Sequence, residues 1–509
     1  MTVNSSQRFF LTVAMMASTV MQVLDTTIVN VALPQMQGEL GTSPDQISWV
    51  LTSYLVASAV VMPLTGFISD RMGRKKHLLI SISGFVIASM LCGIAQNLGE
   101  IVVFRMLQGV FGAALVPLAQ AIMVDTYPLE ERPKAMAIWS MGVMVGPIAG
   151  PTVGGWLTEV LDWRWTFYIN LPVGILSFLL AARYIPDTKK RLRHMDWSGF
   201  VYLGLAIAGL QYFLDRGNED DWFSAKGITL AFVVSIAGLL LFIQHSLRGR
   251  EHPLFSLKIF ADRNFVTASI VITALGLGMY GAMVIQPTML EGLMNYPTDT
   301  AGLVMAPRGL ASMASMMMVS RLMKRIDARY IIVVGMAVCA LGNYLCTHFN
   351  LEVSAWQVVM PSLLQGFGLG FMMVPLTTIA LATMSPPLVP DASGLYSLLR
   401  TIGSSIGIAL ISTIYSRETQ KNWQSLGGAI QPYNRTFHEY MAHSAASVSN
   451  IGDITSTAAK MAGELQLQAS MVAVVDSYWW ITASFVMMLP LVLLLRPLPK
   501  GMSAAEVSE

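Results

Sequence analysis

The sequence predicts an all-α membrane protein with fourteen transmembrane helices, and three observations lead to that prediction. The 509 residues are 54% hydrophobic and only 12% charged, about half the charged content of an ordinary soluble domain. The apolar residues gather into fourteen long stretches, and lysine and arginine are unevenly shared among the connections. This composition excludes a soluble, disordered, coiled-coil or nucleic-acid-binding chain.

Each stretch is long enough for a spanning helix, which needs about 20 mostly apolar residues. The first has no signal-peptidase site after it, so we expect it to be a span and not a cleaved leader. The predicted spans are 9–33, 46–68, 77–96, 101–124, 135–158, 165–185, 198–215, 228–247, 265–290, 302–320, 330–349, 357–382, 393–415 and 477–496.

The basic residues orient the chain. An even number of spans puts both termini on one side, and an excess of lysine and arginine marks the cytoplasmic side. With both termini cytoplasmic, 22 of the 32 basic residues lie on that side, seven lie outside and three lie within spans. A long outer connection, residues 416–475, joins the last two spans and is expected to be partly helical near Ser456 to Ala473. Such a loop either binds a partner or is loosely ordered.

An internal repeat divides the chain into two halves. Leu107-Gln108-Gly109 in span four recurs as Leu364-Gln365-Gly366 in span twelve. Parallel halves around a central site are common in secondary transporters. We therefore predict a six-helix bundle at 1–190, two additional helices at 191–258 and a second six-helix bundle at 259–509 that includes the outer loop.

Asp25 is the main candidate for chemistry, because it interrupts an apolar helix. A charged side chain at mid-bilayer depth costs about 2.5–3.5 kcal/mol on insertion scales, so it should face a cavity or a partner and could bind protons reversibly. Arg105, near the corresponding end of span four, could pair with it. The alternatives are an aspartate solvated at the outer mouth and an arginine that snorkels to the interface.

Other polar residues within the spans are candidates for a substrate cavity. Thr26 and Asn30 follow Asp25 on the same helix, and Gln108 lies in the repeated motif. Arg308 and Arg400 could attract anionic substrates or hold helices together, and the sequence does not separate these two roles. The predicted cavity residues are Thr26, Asn30, Gln108, Arg308 and Arg400.

The connection between spans two and three has a distinctive spacing, from Gly66 to Lys76. Its glycines allow a tight turn and close helix approach, and its acid can meet a helix N-terminus or an arginine. We interpret it as a latch that holds one conformation shut; the alternative is an ordinary basic loop. The latch residues are Gly66, Asp70, Arg71, Gly73 and Arg74.

Span five carries glycines at a period of four, which places them on one stripe where another helix can approach closely. Its prolines remove backbone donors and bend the helix. Simple packing would need only one such glycine pair, so we expect a functional role. The stripe consists of Gly142, Gly146, Pro147, Gly150, Pro151, Gly154 and Gly155.

Enzyme-like patterns lack their structural context. The elbow-like Gly403 to Gly407 and the dinucleotide-like Gly276 to Gly281 both lie inside apolar spans, without the strand–turn–helix that gives either meaning. No histidine lies in mid-span to build a triad or a metal site. We therefore predict a protein that is not an enzyme and that has no cofactor or metal.

These motifs together resemble the major facilitator superfamily, in particular its fourteen-span drug:proton antiporter family of the EmrB/QacA type. The resemblance rests on Leu24 to Pro34, Gly66 to Lys76, Arg105 to Gly109 and Gly142 to Gly155. Two further segments, Trp163 to Pro172 and Leu214 to Phe223, are similar to the EmrB branch.

The resemblance implies the major facilitator fold and proton-driven multidrug export by alternating access, with Asp25 and Arg105 in proton coupling. It also implies residence in a bacterial inner membrane, a periplasmic membrane-fusion adaptor (EmrA-like) and an outer-membrane channel (TolC-like). The nearest alternative is an importer or facilitator of a small metabolite on the same fold. A membrane-embedded enzyme or receptor would need a catalytic constellation or a signalling domain, and the sequence shows neither.

Overall fold

The structure is a computed structural model that describes residues 5–188, 190, 194–248, 254, 257–385, 387–428 and 454–497. Within these ranges there are helices and turns but no strand. Fourteen helices are long and apolar enough to cross a membrane, which confirms the predicted fold class. They are α1 (Ser6–Leu40), α2 (Trp49–Met72), α3 (Arg74–Ile94), α4 (Leu98–Thr126), α5 (Arg132–Val160), α6 (Trp165–Tyr184), α7 (Trp197–Arg216), α8 (Lys226–Leu247), α9 (Arg263–Leu293), α10 (Thr300–Leu322), α11 (Ala328–Cys346), α12 (Ala355–Ala382), α13 (Val389–Gly427) and α14 (Lys460–Val492).

Prolines explain where the spanning helices lose regular geometry. In α2, Pro63 lies in a 3₁₀ turn. In α4, the helix breaks after Gly112 and resumes at Leu115, just before Pro117. Pro287 precedes a π-helical turn at the end of α9. A proline has no backbone N–H to donate to the preceding turn, so the regular α-helical hydrogen bonding is interrupted near each of these three prolines.

Helices extend into the predicted outer loop 416–475 from both of its ends. Helix α13 continues to Gly427, and the helix that contains α14 begins at Ile454. These extensions pack on each other: Asn422 Nδ2 donates to Asp476 Oδ2 at 3.3 Å. The predicted helix near Ser456 to Ala473 is confirmed, and the bounds 416–475 of the outer segment stay a prediction. Residues 429–453 lie outside the described part.

The helices pack in two similar sets. In the first set α1 packs on α5 and α6, and α2 packs on α4. In the second set α10 and α11 pack on α12, and α9 packs on α13. The pair α7 and α8 packs together, and α7 also contacts α2 and α13. The proposed boundaries 1–190, 191–258 and 259–509 stay a prediction.

The two sets meet closely on the side of the membrane where α1 begins, which we call the N-terminal side. There α2 and α4 of the first set contact α13 of the second. The N-terminal-side segments Leu115–Val124, Phe371–Leu381 and Val389–Leu398 are buried throughout. The structure is therefore a conformation closed on the N-terminal side.

Candidate functional site

Asp25 lies at the centre of a fully buried polar cluster. Arg105 Nη1 donates to its Oδ2 at 2.6 Å. Gln108 Nε2 and Asn170 Nδ2 both donate to its Oδ1, at 2.8 and 2.9 Å. Asp25, Arg105 and Gln108 are each 0% exposed. Three donor atoms from two helices, α4 and α6, therefore hold a carboxylate that has no contact with solvent in this conformation.

Hydrogen bonds and aromatic rings fix the guanidinium of Arg105. Its Nε donates to Val50 O at 3.1 Å, and its Nη1 also donates to Gln108 Oε1 at 2.7 Å. Its Cζ lies 4.4 Å from the ring centroid of Tyr54 and 5.7 Å from that of Phe167. Cation–π contact of this kind is strongest away from water. Nη2 is buried without a hydrogen-bond partner, so the carboxylate is the arginine's main electrostatic partner.

The glycines of α5 position the helix that carries Asp25. A Cβ on Gly146 would lie 2.6 Å from Val23 Cγ1, and a Cβ on Gly150 would overlap Thr27. Thr27 Oγ1 donates to Gly146 O at 3.0 Å. The small residues thus let α5 lie directly against α1, one turn or less from the acid.

The other glycines of the predicted stripe also lie on the face of α5 that is turned towards α1. Gly142 faces Met16 and Gly154 faces Ile28, both on α1, whereas a Cβ on Gly155 would have 4.0 Å to its nearest neighbour. Pro151 lies within the same helix, and the side chain of Pro147 is outside the described part. The opposite face of α5 meets the second set, where Thr152 lies near Gly302.

The predicted latch residues lie where the two sets meet on the N-terminal side. A Cβ on Gly66 would overlap the carboxylate of Asp391 on α13 and lie 2.9 Å from its Cα. Gly73 has a φ of +88°, which favours glycine, and it links α2 to α3. Arg74 forms an ion pair with Asp125 of α4.

The other two latch candidates differ in exposure. Asp70 is half-buried and Arg71 is exposed. The backbone N–H of Arg74 donates to Thr188 Oγ1 at 2.9 Å. Gly66 is thus the latch residue at the close contact between the two sets. Arg74, at the basic end of the motif, instead binds residues of its own set.

The expected substrate-cavity residues do not gather in one place. Gln108 was expected to line the cavity, but it is buried within the Asp25 cluster because its amide matches both the acid and Arg105. Thr26 is half-buried and donates to Val23 O of its own helix at 2.7 Å. Asn30 is exposed.

The two arginines of the second set also occupy different positions. Arg308 points into the interior of that set, where its Nη2 lies 3.5 Å from Met279 O. This place is not between the two sets, and a role of Arg308 in the substrate cavity stays a prediction. Arg400 on α13 is half-buried, and its Cζ lies 5.7 Å from the ring centroid of Trp139 on α5. Arg400 therefore bridges the two sets.

Two members of the cluster were missed as site residues. Asn170 stands in the segment Trp163 to Pro172, whose resemblance to the EmrB branch gives this residue no role of its own. An asparagine at the start of an apolar span is a weak but usable signal. Tyr54 lies in α2 among apolar residues and stacks on Arg105; its position gave no signal, because aromatic residues are common in spans.

Comparison with known proteins identifies the family of this chain. The sequence profile described as Major Facilitator Superfamily matches residues 15–408. The chain belongs to this superfamily. The superfamily consists of transporters, and the match covers the first set, most of the second set, the Asp25 cluster and the latch.

Several relatives share most of the chain. The fatty acid resistance protein FarB of Neisseria gonorrhoeae is 37% identical over 83% of this chain and 84% of its own. The multidrug export protein EmrB of Haemophilus influenzae is 33% identical over 97% of this chain and 98% of its own. EmrB of Escherichia coli is 31% identical over 97% of this chain and 96% of its own. The predicted EmrB-type membership is confirmed.

Solved structures support the fold. The proton:xylose symporter XylE superposes with a TM-score of 0.62 at 13% identity, covering 96% of this chain and 95% of that one. The human organic anion transporter MFSD10 gives 0.60 at 14% identity, covering 94% and 99%. At this identity the likeness shows the fold alone, since the superfamily fold serves many substrates.

Proposed function

We propose that this superfamily member is a proton-coupled exporter of hydrophobic or amphipathic compounds, which works by alternating access. The observation that carries the proposal is the sealed ion pair of Asp25 and Arg105, 2.6 Å apart and both 0% exposed. The names of its relatives, multidrug export protein and fatty acid resistance protein, support export as the direction.

The ion pair supplies a reason for coupling. A proton on Asp25 would neutralise the partner of Arg105 and leave a buried guanidinium without its counter-charge. An uncompensated buried charge costs about 3–5 kcal/mol. The protonated protein therefore favours a different helix arrangement, in which Arg105 finds water or another acceptor.

The position of the pair suits transmission of this change. Helix α1 carries Asp25 and rests on the glycine stripe of α5, and the other face of α5 contacts α10 of the second set. A shift of α1 caused by protonation therefore reaches the interface between the two sets. Proton and substrate drive the cycle only if each binds one of the two conformations more tightly.

Closure on the N-terminal side indicates the order in which substrate and protons bind and leave. We infer that the chain resides in a bacterial inner membrane with both termini in the cytoplasm, as the distribution of basic residues indicates. The structure is then closed towards the cytoplasm. Asp25 is also closed off from solvent here, so we infer that substrate leaves outwards and protons enter from outside once the outer side opens; the opposite conformation takes up substrate and releases protons inside.

We also infer that the chain is the inner-membrane component of a tripartite pump. The extensions of α13 and α14 beyond the predicted spans form a pair of helices on the side opposite the termini. Such a projection offers a surface for an EmrA-like adaptor, which would connect to a TolC-like outer channel.

Transport in inverted membrane vesicles tests the direction. An exporter concentrates a labelled amphipathic compound inside inverted vesicles when the interior is acidified, and collapse of the pH gradient stops the accumulation. An importer or facilitator would instead deplete the vesicles or merely equilibrate the compound. The matched control is the Asp25→Asn variant at equal expression.

A further inference from the structure

Helix α1 has a polar face that its neighbouring helices leave partly uncovered. Gln22 and Thr26 are half-buried, and Asn30 is exposed. The three residues are four positions apart, so they lie on one face of the helix. An uncovered polar side chain within a membrane faces a water-filled cleft, because lipid offers it no hydrogen bonds. This face of α1 therefore borders an aqueous cleft.

Tyr54 connects this face to the buried ion pair. Gln22 Nε2 donates to Tyr54 Oη at 3.0 Å. The ring of Tyr54 lies against the guanidinium of Arg105, whose Cζ is 4.4 Å from the ring centroid. Tyr54 itself is 1% exposed. A partly uncovered amide is thus only two side-chain contacts away from the arginine that holds Asp25.

Two glycines of α4 hold the tyrosine in this position. A Cβ on Gly109 would lie 2.5 Å from the backbone oxygen of Tyr54, and a Cβ on Gly112 would lie 3.1 Å from its Oη. The hydroxyl therefore packs against α4 and meets Gln22 from α1. A buried hydroxyl that loses its hydrogen-bond partner is destabilised, so a change at Gln22 is felt at Tyr54.

The electrostatics around Asp25 depend on Arg105. Tyr54 of α2 and Cys92 of α3 interact electrostatically with Asp25, and both kinds of side chain are ordinarily neutral at physiological pH. The hydrogen-bonding amides of α4 and α6, from Gln108 and Asn170, carry no charge. Among these described neighbours, Arg105 is therefore the cation whose position decides whether the carboxylate stays ionised.

We propose that Gln22 binds the polar group of the substrate and that Tyr54 transmits this binding to Arg105, an inference that rests on the proposed function. An amide has two N–H donors and a carbonyl acceptor, and the hydrogen bond to Tyr54 uses one donor. Gln22 therefore suits amphipathic compounds that carry a hydrogen-bonding group, whether neutral or charged. Tyr54 is a positioning residue, because it touches Arg105 and not the substrate.

This arrangement favours exchange of substrate for a proton. While Asp25 is protonated, the electron-rich face of Tyr54 compensates part of the positive charge of Arg105. Substrate that takes the amide of Gln22 removes the hydrogen bond to Oη, and the ring shifts away from the guanidinium. Arg105 then requires the carboxylate as its counter-charge, so Asp25 gives up its proton to water. Substrate and proton thus favour opposite states, as an exporter requires.

The test measures substrate-induced proton release from acidified inverted vesicles over a range of substrate concentrations. Tyr54→Phe keeps the ring but removes the hydroxyl. We expect its maximal rate to fall about fivefold or more while KM stays within about twofold, since substrate still binds but no longer moves the ring. Gln22→Leu removes the amide itself and should raise KM and lower the maximal rate together.

The matched control is Tyr127→Phe. Tyr127 Oη also shares a hydrogen bond with a neutral side chain, Thr12 Oγ1 at 2.8 Å, and its ring centroid lies 5.9 Å from Arg8 Cζ. This tyrosine lies on the N-terminal side, away from Asp25. The control should keep the wild-type maximal rate, KM and melting temperature.

Full-rate release by Tyr54→Phe, or an unchanged KM in Gln22→Leu, would overturn the inference while coupled export stands. A wild type that releases no protons would overturn coupled export and this inference with it. Should Tyr54→Phe melt at a lower temperature than the wild type, Gln22→Asn decides. It keeps an amide at the cleft but is one methylene too short to reach Oη, so a lower maximal rate supports the link and a wild-type rate contradicts it.

Discussion

At the residue scale, a carboxylate and a guanidinium share one buried site, and we expect each to be stable there only in the presence of the other. Asp25 and Arg105 lie on different helices and are 80 residues apart in the chain. The side-chain amides of Gln108 and Asn170 donate the remaining hydrogen bonds to the carboxylate. Each partner makes the burial of the other possible. Loss of one partner should therefore do more damage than loss of both.

A double-mutant cycle tests this dependence. Arg105→Gln leaves Asp25 buried without its counter-charge and should destabilise the protein by about 3–5 kcal/mol. The double variant Asp25→Asn, Arg105→Gln carries no charge at the site and should recover most of the lost stability. Thermal unfolding of the purified variants measures both effects.

The matched control is an exposed arginine. Arg164 pairs with Glu39 at 2.8 Å, but both side chains are 31% or more exposed. Arg164→Gln should change stability by less than about 1 kcal/mol. Equal stability of Arg105→Gln and the double variant would show that the two charges do not depend on each other.

The sequence identified the acid and the arginine but not their surroundings. A charge in an apolar helix is conspicuous because of its cost, so Asp25 and Arg105 could be predicted singly and their pairing anticipated. Gln108 was assigned to the cavity, because spacing along a helix does not show which neighbour an amide meets. Tyr54 was missed for the same reason: its contact with Arg105 exists only after α2 and α4 pack.

At the element scale, the glycines of α5 set the distance to α1. Gly150→Ala places a Cβ against Thr27 and forces the helices apart, with an expected loss of about 1–3 kcal/mol and a loss of transport. Gly155→Ala, whose Cβ would have 4.0 Å to its nearest neighbour, is the matched control. Unfolding and transport assays compare the two.

Glycine-to-alanine substitution is therefore expected to impair stability and transport at position 150 and to leave both unchanged at position 155. If Gly150→Ala transports like the wild type, close approach of α5 to α1 is not required. If Gly155→Ala also fails, the loss reflects the flexibility of glycine and not the space between helices.

A second element-scale prediction concerns the latch. Gly66→Ala would collide with Asp391 and should destabilise the closed N-terminal side. A cysteine introduced at Ser393, which is 0% exposed, should then react faster with a water-soluble maleimide. Gly227→Ala, which has nothing within 4 Å of the new Cβ, should leave the rate unchanged.

The latch account predicts acceleration in the Gly66 variant alone. Unchanged labelling there would contradict it. The sequence anticipated a latch from the spacing of this motif but did not identify Asp391, because the contact joins residues more than 300 positions apart.

Helix interiors were predicted well from hydropathy. Helix ends and irregular turns depend on prolines and on packing, which hydropathy does not report.

At the scale of the whole molecule, the projecting ends of α13 and α14 are the proposed adaptor surface. Replacement of residues 420–470 by a short Gly/Ser linker removes both projecting helix extensions. We expect unchanged melting temperature and efflux in vesicles, but about tenfold less adaptor recovered in a pull-down, since loss of roughly 1.4 kcal/mol gives a tenfold weaker complex. Equal recovery of the adaptor would show that it binds elsewhere.

The whole fold was more predictable than its sites. Fourteen spans follow from hydropathy and charge because a bilayer penalises every exposed polar group, and the internal repeat indicated two halves. The different environments of Arg308 and Arg400 were not predictable, since both are arginines within apolar helices. Only the packed structure shows that one lies inside the second set and the other between the sets.

We propose that Asp25 carries the proton that drives export, and substrate-induced proton movement measures this coupling. Inverted vesicles are acidified by respiration and monitored with a pH-sensitive dye while an amphipathic substrate is added. The account predicts that the wild type releases protons from the vesicles and that Asp25→Asn, present in equal amount, releases none. Proton release by Asp25→Asn at the wild-type rate would contradict it.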